Sequence, residues 1–165
     1  MSERPGSDPL SLDNQLCFAV YAASRALTGL YRELLADLGL TYPQYLVMLV
    51  LWERGTLPVK ELGAALRLDS GTLSPLLRRL EAGGLVRRTR DTGDERVVHI
   101  ALTGQGATLR ERAVDIPGRV LCSTGIPEDR IGELRALLDR ITESAGAAAH
   151  ELRAAQGTRP QRERP

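Results

Sequence analysis

The chain has 165 residues and a formal net charge of +1, which suits one domain with one core and excludes a polycation, so any nucleic-acid surface must come from local clustering of charge. No apolar run reaches the length of a membrane span, and the first ten residues lack the charged-then-apolar pattern of an export signal, so a cytoplasmic protein is expected. Two cysteines 105 residues apart are too few for a disulfide scaffold, and in a reducing compartment a disulfide between them would be a regulatory event.

Residues 1–10 are polar and read as a disordered end, as does the Arg- and Pro-containing tail 156–165. A single domain is expected between them, over residues 11–155. Across residues 12–38 the apolar side chains recur at helical spacing (Leu12, Leu16, Val20, Ala23, Leu27, Leu30, Leu34, Leu38), with Ser11 as the N-cap and Gly39 as the stop. Cys17 then falls in the second turn of the first helix, with Tyr21 four residues on and sharing its face. Thr41 caps a second helix that carries Pro43 just inside its start and ends at Gly55. Residues 59–66 read as a short third helix and LDSG as a turn. Ser70 caps a fourth helix, with Leu73, Leu76, Leu77 and Leu80 inward and Arg78, Arg79 and Glu81 toward water. After Gly83 and Gly84 the period changes. LVRRT and RVVHIALT are β-rich and flank the polar loop RDTGDE, which makes a hairpin. A fifth helix over residues 103–120 carries Pro117 and Gly118, which predict a stop or kink near residue 117. A last helix covers residues 127–155.

Two short helices joined by a tight turn and followed by a hairpin form a winged helix-turn-helix, in which the second helix of the pair enters the major groove of DNA. The expected class is therefore mainly α with a small β-hairpin wing. Residues 70–82 have what a reading helix needs: an apolar inner face, short hydroxyl donors at its start (Ser70, Thr72, Ser74) and cations near phosphates. Between residues 70 and 90 there are five arginines (78, 79, 87, 88 and 90) against one acid, Glu81, a local excess that the total charge conceals.

The runs LTYPQYLVMLVLWE (40–53), VKELGAALRLDSGTLSPLLRRLEAGGLVRR (59–88) and DERVVHIALT (94–103) resemble the MarR family of winged-helix regulators. More narrowly, LDSGTLSPLLRRLE and LTYPQYLVMLVLWE resemble its organic-hydroperoxide-sensing, OhrR-like branch, and the likeness covers roughly residues 10–145. The resemblance implies a homodimer built from helices over residues 11–38 and 103–155, with the DNA module over 41–102 and a near-palindromic double-stranded operator. It implies that Ser70, Thr72, Ser74, Pro75, Arg78 and Arg79 face DNA, and that the Asp-x-Arg of the wing, Asp94 and Arg96, sends its arginine to a minor groove; the charge cluster adds Arg88 and Arg90 to the expected DNA surface.

Read alone, Cys17 is more simply a small core residue than a reactive thiol, since free cysteine is among the most buried side chains. The resemblance reverses that weight. The motif LDNQLCFAVYAASRA carries the peroxidatic cysteine of the OhrR-like branch. Tyrosines matching Tyr31 and Tyr42 donate to its sulfur from the other subunit, and one matching Tyr21 lies beside it. Cys122, in VLCSTGIP between the last two helices, matches the resolving cysteine of two-cysteine members, which forms an intersubunit disulfide. Organic hydroperoxide is the implied inducer, with Leu16, Phe18, Val20, Val47 and Leu51 available as an apolar lining. Two other readings remain at this point: a regulator released by an aromatic ligand, with incidental cysteines, and a thiol peroxidase. The basic helix and wing argue against the enzyme. No metal or cofactor is expected, since His99 and His150 lack a spaced ligand cluster and there is no Gly-rich phosphate loop.

Overall fold

The computed structural model describes residues 8–157 apart from Thr92 and Glu95, so the disorder expected of residues 1–7 and 158–165 lies outside the described residues. Residues 8–10 are tied down: the Leu10 N–H donates to the Asp8 carboxylate at 2.8 Å and the Ser11 N–H to the Asp8 carbonyl. The helices are α1 (Leu16–Leu34), α2 (Tyr42–Arg54), α3 (Val59–Leu66), α4 (Ser70–Ala82), α5 (Gly104–Ala113), α6 (Ile116–Thr124) and α7 (Glu128–Gly157). The strands are β1 (Leu57–Pro58), β2 (Val86–Arg90) and β3 (Val98–Leu102). The chain forms two compact units, the first running to Val120 and the second starting at Leu121.

The first unit is organised around α2. Gln44 fixes its start by accepting from the Thr41 N–H at 2.8 Å, which satisfies one of the donors that a helix terminus leaves free. Beyond that cap Tyr45, Val47, Met48, Val50 and Leu51 are all buried, so α2 is apolar nearly all round and serves as the hub. Leu62, Leu73, Leu77, Leu80, Val86, Ile100 and Leu109 close on it from α3, α4, the sheet and α5. The turn between α3 and α4 places Arg67 at φ 55°, the left-handed region, while the Leu68 N–H returns to the Gly63 carbonyl at 2.9 Å. The sheet has three strands in the order β1-β3-β2, all antiparallel, with Leu57 opposite Ile100 and Val86 opposite Leu102. The expected hairpin is thus joined by a two-residue strand that the sequence reading left out.

Four boundaries differ from expectation, each for a physical reason. The first helix is not one piece from Ser11. A 3-10 turn at Leu12–Asn14 precedes α1, whose N-cap is Gln15 in extended conformation. The Gln15 side chain donates back to the Pro9 carbonyl, which holds the break open. A second 3-10 turn, Ala36–Leu38, separates the end of α1 from Gly39. The cap of α4 is Asp69 rather than Ser70, its carboxylate accepting the Thr72 N–H at 2.8 Å; an ionised acceptor is the stronger cap. The fifth helix breaks at Val114–Asp115, upstream of Pro117. A proline ring clashes with the carbonyl four residues earlier, here that of Ala113, the last residue of α5. Pro117 itself is tolerated in the first turn of α6.

Nothing in α1 is buried within the single chain. In the second unit, Ile131, Leu134, Leu138, Ile141, Ala145, Ala148 and Leu152 alternate by three and four residues along α7, and none is buried. That period is the seam of a helix facing another helix.

Two predictions concern the core. The Tyr45 residue is 1% exposed and its hydroxyl has no hydrogen-bond partner among the described residues. Burial first, then the neighbouring Tyr31 and Tyr42, pushes this phenol up from 10.0 to about 12. A folded-state value raised above the unfolded one favours folding below pH 10 and loses that contribution as pH rises toward 12. Tyr45→Phe should keep or raise the melting temperature at neutral pH, because it deletes an unpaired buried hydroxyl, and should flatten the loss of stability between pH 10 and 12 in alkaline melts. Gly106 is the second case: a Cβ there would overlap the Leu85 carbonyl oxygen. Gly106→Ala should destabilise by about 2–3 kcal/mol in denaturant titration, more than alanine at the open position Gly104.

Candidate DNA-reading surface and thiol site

The reading surface starts from the two faces of α4. Leu73, Leu77 and Leu80 are each 1% exposed, and that anchorage turns Ser70, Thr72, Arg78 and Arg79 outward, where all four are exposed. Ser74 and Pro75 are half-buried on the flank between them. Backbone N–H donation from Thr72, then its hydroxyl, holds the Asp69 carboxyl below its ordinary range, so the cap is charged wherever the protein is folded near neutral pH.

The wing turn is a pair of aspartate brackets. Asp91 accepts from the N–H groups of Gly93 at 2.8 Å and Asp94 at 3.1 Å, and its own N–H donates to the Val97 carbonyl. Those backbone donors, then the nearby His99, hold the Asp91 carboxyl low. Asp94 in turn accepts the Arg96 N–H at 3.0 Å, so the Asp-x-Arg pattern is an Asx turn that presents an exposed Arg96 at the tip. Arg90 is also exposed, at the end of β2. Arg88 differs from the rest: its guanidinium lies 3.2 Å from Glu81 and reaches the Ser74 carbonyl at 3.5 Å, pinning β2 to α4. Between α3, the start of α4 and the wing lies a cavity of about 720 Å³, bordered by Lys60, Leu68, Ser70, Arg88, Arg96 and Val98.

The thiol site differs in place from the sequence expectation. Because α1 starts at Leu16, Cys17 is the second residue of the helix, in its first turn, and it is a free, exposed thiol. The free N–H groups of a first turn favour negative charge, an effect that fades beyond it. Tyr31 and Tyr42 are brought together across α1 and α2, rings stacked at 4.2 Å, with Tyr45 5.9 Å from Tyr31 and Trp52 edge-on to Tyr45. Burial, and for Tyr31 also the neighbouring Tyr42, raises the hydroxyls of Tyr31 and Tyr42 above the ordinary value. Both therefore stay protonated donors through the neutral range. Tyr21 stands apart from that stack. It is exposed, near Phe18, and its hydroxyl accepts from Arg25 at 3.1 Å.

The apolar lining expected for the thiol is not assembled within one chain. Val47 and Leu51 are core residues of α2, while Leu16, Phe18 and Val20 are exposed. Cys122 is a free, exposed residue within the last turns of α6 rather than in the junction itself, which follows at the left-handed Gly125. Among the described residues there is no metal-binding cluster, and no helix is long and apolar enough to cross a membrane. Sequence reasoning missed Asp69 and Asp91, and it set Arg25 aside as two turns from Cys17 without seeing its bond to Tyr21. The signals were present: an Asp three residues before a Thr N–H, an Asp ahead of Gly in the loop, and an Arg at i+4 from Tyr21.

The family model described as transcriptional regulator SarA/Rot matches residues 29–112. The HTH-type transcriptional regulator TtmR of Methylorubrum extorquens is 53% identical over 96% of this chain and 83% of its own length. The organic hydroperoxide resistance transcriptional regulator of Bacillus subtilis is 49% identical over 83% of this chain and 93% of its own. Among solved structures, reduced AbfR bound to DNA superposes with a TM-score of 0.71 at 34% identity, covering 84% of this chain and 94% of that one. A disulfide-formed AbfR matches with a TM-score of 0.58 at 33% identity, over 84% and 92%. These relatives are transcriptional regulators rather than enzymes. A buried hub helix, an outward basic helix and a bracketed wing, together with likeness along most of the chain, place this protein in the MarR/SarA family of winged-helix DNA-binding regulators.

Proposed function

We propose that the chain is a dimeric repressor that senses organic hydroperoxide through Cys17. The observation that carries this reading is an exposed thiol in the first turn of α1 together with the stacked, protonated Tyr31–Tyr42 pair. The likeness to a regulator named for organic hydroperoxide resistance supports it. The seam of α7 and the unburied α1 are the surfaces for a second copy, and through that copy Tyr31 and Tyr42 meet the other subunit's sulfur. In the reduced dimer α4 lies in the major groove, with Ser70, Thr72, Ser74 and Pro75 toward base edges and Arg78 and Arg79 toward phosphates. Arg90 and the Asp94-braced Arg96 reach from the wing, and Arg88 holds the two elements in register.

The chemistry balances simply. The Cys17 thiolate attacks one peroxide oxygen, an S–O bond forms, and the O–O bond breaks. The sulfur loses two electrons, and the alkoxide that leaves takes a proton to become an alcohol. The thiol of Cys122 from the other subunit then attacks the sulfenic sulfur, the S–S bond forms, and water leaves. A disulfide requires Cα atoms within about 7 Å; in this reading the two cysteines lie farther apart than that in the reduced dimer, and closing the bond moves α6 and, with it, the spacing of the reading helices. Such a cycle needs a reducing compartment to reset it, which fits the cytoplasm.

Two experiments test the reading. Operator binding should weaken with salt at a slope of roughly −0.9 per contacted phosphate. Arg96→Ala, Arg78→Ala and Arg79→Ala should each lower affinity without changing the melting temperature, and unchanged affinity and slope in all three would place the DNA elsewhere. For sensing, wild type treated with stoichiometric alkyl hydroperoxide should release the operator and run as a covalent dimer on a non-reducing gel. Cys17→Ser should bind when reduced and ignore the peroxide. Cys122→Ser should give no covalent dimer and accumulate sulfenic acid. Release of DNA by the Cys17→Ser protein would overturn the reading. Release by wild type with Cys122 unmodified in mass spectrometry would make this a one-cysteine sensor.

A further inference from the structure

Cys17, Tyr21 and Arg25 are spaced by four residues along α1 and lie on one face over three successive turns. The Arg25 guanidinium donates to the Tyr21 hydroxyl oxygen at 3.1 Å and lies 5.7 Å from the centre of the same ring. It has no carboxylate partner among the described residues. Its surroundings explain why that matters. A cavity of about 670 Å³ between α1 and α2 is bordered by Tyr21, Ser24, Arg25, Thr28, Arg32 and Tyr42, and no acidic residue lines it. Arg32, the other cation there, is paired with Glu33 at 3.2 Å. Arg25 is therefore the cation of this cavity whose charge no neighbouring acid offsets among the described residues.

We propose that Arg25 is a positioning residue for the Cys17 thiol, holding the Tyr21 hydroxyl by its oxygen so that the phenolic hydrogen is directed to the anionic sulfur. The physical basis is that a phenol has one hydrogen to give and two lone pairs to accept with. A guanidinium bound at the oxygen leaves the O–H free and polarises it, and a chain of two such bonds strengthens both. The sulfur anion gains a charge-assisted donor one turn away without a cation touching it. This assignment rests on the reading of Cys17 as the reactive thiol.

The test uses the full-length chain in a Cys122→Ser background, so that Cys17 is the one thiol. Two quantities are measured: the pH profile of alkylation by iodoacetamide, and the rate of thiol loss with cumene hydroperoxide. Arg25→Gln should slow the peroxide reaction by about tenfold and move the alkylation midpoint to higher pH, with operator affinity of the reduced protein unchanged. Arg25→Lys, which keeps the charge but not the planar fork, should recover part of the rate. Tyr21→Phe should reproduce the loss, and the double variant should lose no more than either single one. An Arg25→Gln protein with the parental profile and rate, or losses that multiply in the double variant, would overturn the assignment. Alkylation needs no peroxide, so the two failures separate. A parent that ignores hydroperoxide sinks the sensing reading, while a shifted alkylation profile in Arg25→Gln would still place Arg25 behind the sulfur.

Discussion

The structure depends on the burial of one face of α4. A helix of thirteen residues carrying arginines has no reason to sit still in water; Leu73, Leu77 and Leu80 give it one. Each is 1% exposed, and truncating any of them to alanine would cost about 2–5 kcal/mol, a large part of the stability of a small domain. The outward direction of Arg78 and Arg79 is the geometric complement of that burial. The hub helix α2 makes it work by being apolar on nearly every side, so that α3, α4, α5 and the sheet all share the same core. The charged surface is thus a by-product of a packing solution, held by apolar contacts that never meet a ligand.

Local rules carried the sequence reading a long way and failed where a side chain acts on a distant backbone group. The bounds of α2 were legible because its cap and stop, Thr41 and Gly55, sit at the ends of an apolar run. The class and the wing were legible for the same reason. The break before α1 was not, because it depends on the Gln15 side chain bonding to Pro9, a contact with no periodic signature. β1 was invisible because two residues, one of them proline, do not make a strand by pattern; Leu57 and Pro58 are a strand only because β3 lies beside them. The break after α5 was foreseen in kind, but its place follows from the reach of the Pro117 ring back to residue 113.

The site divides in the same way. The outward arginines of α4 could be read from spacing, whereas the wing arginine, Arg96, came from the family resemblance. The role of Arg88 could not be read from spacing, since its partner Glu81 is close only when β2 folds against α4. The lining expected around Cys17 is not gathered within one chain, and the reason is physical. Periodicity identifies apolar residues but does not say which core they join, and Val47 and Leu51 belong to the hub. The placement of Cys17 in a first rather than a second turn changes its electrostatic setting by one turn of helix, which is the distance over which a helix terminus is felt.

The close approach of α5 to the base of the wing has a mechanical side. The Thr103 N–H donates to the Leu85 carbonyl at 3.1 Å, its hydroxyl to the Gly84 carbonyl at 2.6 Å, and Gly106 lies against the same Leu85 carbonyl with no side chain between. The Trp52 indole donates to the Gly106 carbonyl at 2.9 Å, which fastens α2 to the same point. Backbone seated on backbone has no rotamers with which to absorb a displacement, unlike a layer of leucines. The base of the wing, the start of α5 and the end of α2 therefore behave as a single stiff joint. A tilt imposed on α5 is transmitted to β2 and β3 as rotation rather than dissipated as repacking.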